Sequence, residues 1–164
     1  MHSIPIVALA IASFALAGLA HAADLSKEDK DFMMKAAGGG VFEVAQGKLA
    51  ESKGSSEAAR SFGATLQQDH AAGNDELKSI ADKKGITLPT SIPSDKQKIL
   101  DKLASSKSFD HDLGKAAVKD HKEDIKDFEK ESKKGKDPDV KAFAARTLPT
   151  LRKHLQNAEA LAKE

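Results

Sequence analysis

The chain has no cysteine, no tryptophan and no tyrosine. Without cysteine there is no disulfide, no thiol nucleophile, no thiolate metal ligand and no lipid-anchoring cysteine behind a leader. Phenylalanine is the whole aromatic complement, at 4% of residues, so Ala and Leu must fill most of a core, which suits closely packed helices. An excess of either charge is also missing: 26 Lys and Arg stand against 25 Asp and Glu. That balance excludes the clustered positive surface that nucleic acid or an anionic membrane would require, so no nucleic-acid partner is expected. No run alternates as a strand would, and no phosphate loop or Ser-His-Asp arrangement is visible, which sets hydrolase chemistry aside.

What is present is 164 residues with 40% hydrophobic and 31% charged content, the size and composition of one folded domain. Residues 1–22 read as a secretory signal, an uncharged apolar run from Ile4 to Leu19 closed by Ala20-His21-Ala22. The run is interrupted by Pro5 and falls short of the ~20 residues that span a bilayer, so no transmembrane helix is expected after cleavage. The expectation is a periplasmic or secreted protein whose single domain occupies residues 23–164.

Four long amphipathic stretches follow. Ser26 and Asp29 form a near capping box before a helix from about Lys27 to about Lys53. At 100° per residue Phe32, Ala36, Gly39 and Glu43 fall within about 40° of one another, so Glu43 should face inward. Gly54-Ser55-Ser56 turns the chain into a second helix reaching about Lys84, with Phe62, Leu66, Asp69, Leu77 and Ile80 near one line and His70 at its edge. Leu88-Pro89 and Ile92-Pro93 cannot continue a helix, and Ser94 opens a short one to about Ala104 in what should be a crossover. Ser108 caps the third long stretch, to about Lys133, with Phe109, Leu113, Ala117 and Phe128 as its stripe, Asp120 and Asp124 on the centre line and His121 at the edge. Asp137-Pro138 starts the last helix, with Val140, Ala144, Leu148, Leu151 and Ala158 inward, His154 beside them, and Pro149 expected to kink it. The fold expected is all-α: a ferritin-like up-down four-helix bundle with one crossover containing a short helix.

The pattern Asp31-Phe32, Gly39-Gly40, Glu43-Val44-Ala45 and Gly47-Lys48-Leu49-Ala50, then Phe62-Gly63, Asp69-His70, Asn74 and Leu77, then Phe109-Asp110 and His121, then Leu148-Pro149 and His154-Leu155 resembles an exported bacterial family, domain of unknown function 4142. The resemblance covers nearly all the chain after the leader. It implies a periplasmic bundle near the ferritin-like fold, and no established activity.

Glu43, Asp69, His70, Asp120, His121, Asp124 and His154 come from all four long stretches. Carboxylates and imidazoles converging inside a bundle are what a divalent transition metal needs, and such an ion is the cofactor and small partner this set suits. Helical di-iron proteins carry Glu-x-x-His; here Gln67 precedes His70 by three and Val118 precedes His121, so both bridging Glu are absent. The plain alternative is a structural one, with each His hydrogen-bonded in a tight core. Depth favours the latter: at ~1.5 Å per residue from Gly54, Glu43 lies about 16 Å and His70 about 24 Å along the bundle, so they should miss each other, with the Gly38 to Gly40 run making room for the imidazole. Two functions follow, a non-catalytic binding or envelope-stress protein that holds a metal, or a ferritin-like metalloenzyme or metal-storage protein in which Asp replaces Glu. A protein partner docked on an exposed helix face is a third.

Overall fold

The structure, a computed structural model, describes residues 25–163; the expected signal, residues 1–22, lies outside them. Five helices occur in order: α1 (Lys27–Lys53), α2 (Glu57–Lys83), α3 (Ser94–Ala104), α4 (Phe109–Lys134) and α5 (Pro138–Leu161), with no strand among the described residues. None of the described helices is long and apolar enough to cross a membrane.

The ends are fixed by side chains that satisfy otherwise unpaired backbone groups. Ser26 Oγ accepts from the Asp29 amide at 3.1 Å, and Ser56 Oγ from the Ala59 amide at 3.0 Å. Asp137 Oδ1 accepts from the amides of Asp139 and Val140, with Pro138 at the first helical position. Ser94 and Ser108 do not cap as expected: α3 begins at Ser94 behind Pro93, and neither α3 nor α4 has a side-chain cap. Helix α2 stops where Gly85 takes φ 66, a left-handed turn that suits glycine. Helix α5 runs on through Pro149.

Contacts between the ends set the topology. The Asp110 carboxylate, in the first turn of α4, accepts from the amides of Ser55 and Ser56 in the α1–α2 turn. At the opposite end Lys84 donates to Asp137 at 2.7 Å and to Asp139 at 3.0 Å, tying the end of α2 to the start of α5. The chain therefore runs up, down, crosses back through α3, then down and up. This is the ferritin-like bundle with its one crossover. Helices α1 and α2 form one close pair and α4 and α5 the other, while α3 lies against α1 and α4. Helices α1 and α2 approach most closely at Gly47 and Gly63, where a Cβ on either would strike the other's carbonyl.

The core is not continuous. One apolar cluster gathers Phe32, Met33, Leu77, Phe128, Phe143 and Leu151, and the other Phe62, Leu66, Leu103, Phe109, Leu113 and Leu161. Each such side chain contributes roughly 1.5–3 kcal/mol on burial. Outside the clusters lie the buried polar residues Glu43, Gln46, His121 and His154, each 2% exposed or less, with Phe42 buried beside Glu43. A small protein that interrupts its core with a polar layer gives up that burial there. The chemistry of the layer has to explain why.

Candidate metal centre

Three imidazoles from three helices meet in this layer. His70 of α2, His121 of α4 and His154 of α5 have ring centroids 5.2 to 5.8 Å apart, and one ring nitrogen from each lies within 4.8 Å of the others. Glu43 of α1 closes the fourth side, its Oε2 2.9 Å from His70 Nδ1 and its Oε1 3.4 Å from His121 Nε2.

Each ring has one nitrogen committed to an acceptor. His121 Nδ1 is 3.0 Å from the Ala117 carbonyl, which can only accept, so that nitrogen carries the proton. His154 Nε2 is 2.9 Å from Asp69 Oδ2, and His70 Nδ1 is as close to Glu43; both contacts require a proton on the line between nitrogen and carboxylate. Of the remaining nitrogens, two lie within hydrogen-bond distance of each other and the third has no partner. His121 Nε2 and His154 Nδ1 face each other at 3.3 Å, and His70 Nε2 is buried with no hydrogen-bond partner. A metal-ligating imidazole has this arrangement, one nitrogen oriented by a carboxylate or carbonyl and the other offered to the ion.

Burial holds the rings neutral, the form a metal requires. It pushes His70 and His121 down to about 4, against the pull of the Asp124 charge on the first and the Glu43 charge on the second, and lowers His154 as well. Burial likewise raises Glu43, and it raises Asp124 to about 7 with the help of the Glu43 charge. Glu43 Oε1 has no hydrogen-bond partner although it is buried. The layer thus leaves Glu43 Oε1 and His70 Nε2 buried without a partner, as it does both polar atoms of the Gln46 amide, and a buried polar atom left so is costly.

A second group, Glu43 with Asp120 and Asp124, brings three carboxylate oxygens within 4.8 Å of one another. It already holds a cation: Lys96 of α3 is ion-paired to Asp120, with its ammonium 5.0 Å from the centre of the Phe42 ring.

Several expectations are corrected here. Glu43 and His70 do not miss each other. Residues 54–56 form the turn and add no axial rise; counted within the helices, Glu43 is ten residues from Lys53 and His70 thirteen from Glu57, ~15 against ~20 Å, a gap the Glu side chain closes. The glycines of 38–40 do not make room for the imidazole: a Cβ on Gly38 would meet Pro93 of the crossover, and one on Gly40 would collide with Asn74. The order of Asp69 and His70 on their face is reversed, with the His70 side chain 10% exposed and Asp69 37%. Asp69 lies at the α2–α5 groove, where it reaches His154. Asp120 is buried as expected but faces α3 and Lys96, while His121 and His154, placed at the edges of their stripes, are fully buried. Three-way packing by α3, α1 and α5 widens the buried arc of α4. Lys96 and Gln46 were not anticipated; the only sign of Lys96 was its place in the first turn of a short helix beside acidic neighbours.

The family described as a domain of unknown function, DUF4142, matches residues 15–161. The crystal structure of a DUF305 fragment from Deinococcus radiodurans is similar over 85% of this chain and 97% of its own, with a TM-score of 0.74 and 9% identity, a likeness of fold alone. Among curated proteins none matches this chain.

Proposed function

The chain belongs to the DUF4142 family, a domain of unknown function, and from that premise we propose that it is an exported, non-catalytic binding protein that holds one divalent transition metal ion in its bundle core. One observation carries this reading: one ring nitrogen from each of His70, His121 and His154 lies within 4.8 Å of the others beside Glu43, and His70 Nε2 and Glu43 Oε1 are buried with no hydrogen-bond partner. A purely structural histidine core would pair both nitrogens, because an unpaired buried polar atom costs roughly 1–3 kcal/mol. Imidazole-rich sets suit zinc, copper, nickel and iron more than calcium or magnesium. Asp69 and the Ala117 carbonyl orient His154 and His121, and Glu43 orients His70 and neutralises part of the ion's charge. Placement in the periplasm follows from the signal pattern in residues 1–22 and is part of the same proposal.

Untagged protein equilibrated with zinc, copper, nickel and manganese ions and then dialysed should retain one of the first three per chain, and a His121→Ala, His154→Ala double variant should retain none. Folded wild-type protein that retains no ion would contradict the proposal.

The second reading, a ferritin-like metalloenzyme or storage protein, is favoured by one feature: the Glu43, Asp120 and Asp124 group shares Glu43 with the imidazoles, as a two-ion centre would. It would require Lys96 to leave Asp120. Two ions per chain in the same dialysis, with the second lost in Asp120→Asn, would select it.

A further inference from the structure

Of the seven glycines in the long helices, Gly114 sits against Leu161 and Ala162 at the end of α5, and the six of α1 and α2 fall into two kinds. Gly38, Gly40, Gly47 and Gly63 each sit against a neighbour that a Cβ would strike, whereas a Cβ on Gly39 or Gly73 would meet nothing within 4 Å. Glycine weakens a helix interior, so the last two stand at a cost that no close packing explains. Both line a cavity of about 40 Å³ that is bounded by all four long helices. Glu43 and His70 of the imidazole layer form part of its wall, which also includes Asp124, Thr147, Leu77 and Phe128. Asp69, whose side chain is 37% exposed, also lines it, so part of the cavity wall stands at the surface.

A space needs about 10–15 Å³ to admit one water together with two or more polar partners, so this one has room for two or three waters. It holds the polar partners, and two of its lining residues carry the unpartnered buried atoms His70 Nε2 and Glu43 Oε1. Three imidazoles also fill only three positions of a tetrahedral ion, and an ion so held keeps a position for water or another small ligand.

We propose that this cavity is a port through which a small uncharged ligand, water or a diatomic or peroxide of similar size, reaches an open coordination position on the ion. The three carboxylates around it, Glu43, Asp69 and Asp124, disfavour small anions, and its volume excludes anything larger. The port rests on the metal-binding reading above, and gives Gly39 and Gly73 a role as the residues that keep it open.

The test uses copper(II), which binds nitrogen sites most tightly among the first-row divalent ions, and reads the relaxation rate of bulk water protons. Copper-loaded wild-type protein should relax water faster than a copper site closed to solvent, because a coordinated water exchanges through the port. Gly73→Leu and, independently, Gly39→Leu should still take up one copper per chain, since a Cβ at either position meets nothing within 4 Å, and should lose most of that enhancement. Enhancement that is absent in the wild type, or unchanged in both copper-loaded variants, overturns the port and leaves the metal reading standing. Failure of folded wild-type protein to take up copper overturns both.

Discussion

Helix α1 buries two carboxylates in opposite circumstances. Asp29, fully buried at the first turn, accepts from the Ser26 hydroxyl at 2.7 Å and from the amides of Lys136 and Asp137 at 2.9 and 3.1 Å. Burial alone would raise its pKa, but these donors, with Glu131 beside it, hold it below the usual carboxylate range. Glu43, four turns further on and just as buried, faces ring nitrogens and other carboxylates, has an oxygen with no partner, and is raised. A buried acid surrounded by donors is a clamp: Asp29 fastens the α4–α5 turn to the start of α1. A buried acid with an unpartnered oxygen is half of an interaction, which in the proposed reading a cation completes.

The largest effect that distinguishes the two should be on stability. Asp29→Ala leaves the amides of Lys136 and Asp137 without their acceptor and should cost roughly 2–5 kcal/mol, equally with chelator or with metal, as read by urea unfolding. Glu43→Gln should behave the other way. It removes a buried, uncompensated acid, so stability in chelator should change by no more than about 1 kcal/mol, while metal affinity falls roughly 10–100-fold. A large stability loss in chelator would make Glu43 a second clamp and erase the contrast.

A smaller effect separates the regions by pH. Burial, together with the adjacent Asp29, which accepts its proton, raises Glu131 from 4.5 to about 7. In that window the folded state holds a proton that the unfolded chain has lost, so its contribution is complete below pH 4.5 and is lost as pH rises through about 7. Glu131→Gln keeps a donor toward Asp29 at every pH. Its urea midpoint should match wild type at about pH 4 and exceed it at about pH 8; the same difference at both would place the linkage elsewhere. The smallest effect is expected at Asp69→Asn, which leaves an acceptor for His154 at a half-exposed position and should weaken metal binding only about tenfold, the low end for an orienting partner. Competition with a chromophoric chelator would measure it.

The periodicity of the chain carried the bundle because each long stretch has a single apolar face, with turn chemistry at Gly54-Ser55-Ser56 and Asp137-Pro138 to mark the ends. It also put Glu43, Asp120, His121 and His154 on inward faces or at their edges, and these four are buried. The interhelical register was harder to read. Whether Glu43 meets His70 depends on how many turn residues contribute axial rise, and the close approach of Gly47 to Gly63 that fixes it is a property of two helices together. Which of Asp69 and His70 turns inward was illegible for a similar reason: adjacent positions differ by 100° of rotation, and the groove between α2 and α5 decides which arc is covered. Lys96 lay beyond reach because nothing in a short crossover helix says which acid it will cover.

X-ray absorption on the zinc-loaded, untagged protein tests the contrast between clamp and centre most directly. Three imidazole nitrogens and one or two oxygens at about 2.0–2.2 Å, with the imidazole scattering lost in His121→Ala, is the result predicted. A shell of oxygens alone, as carboxylates on the surface would give, would contradict it.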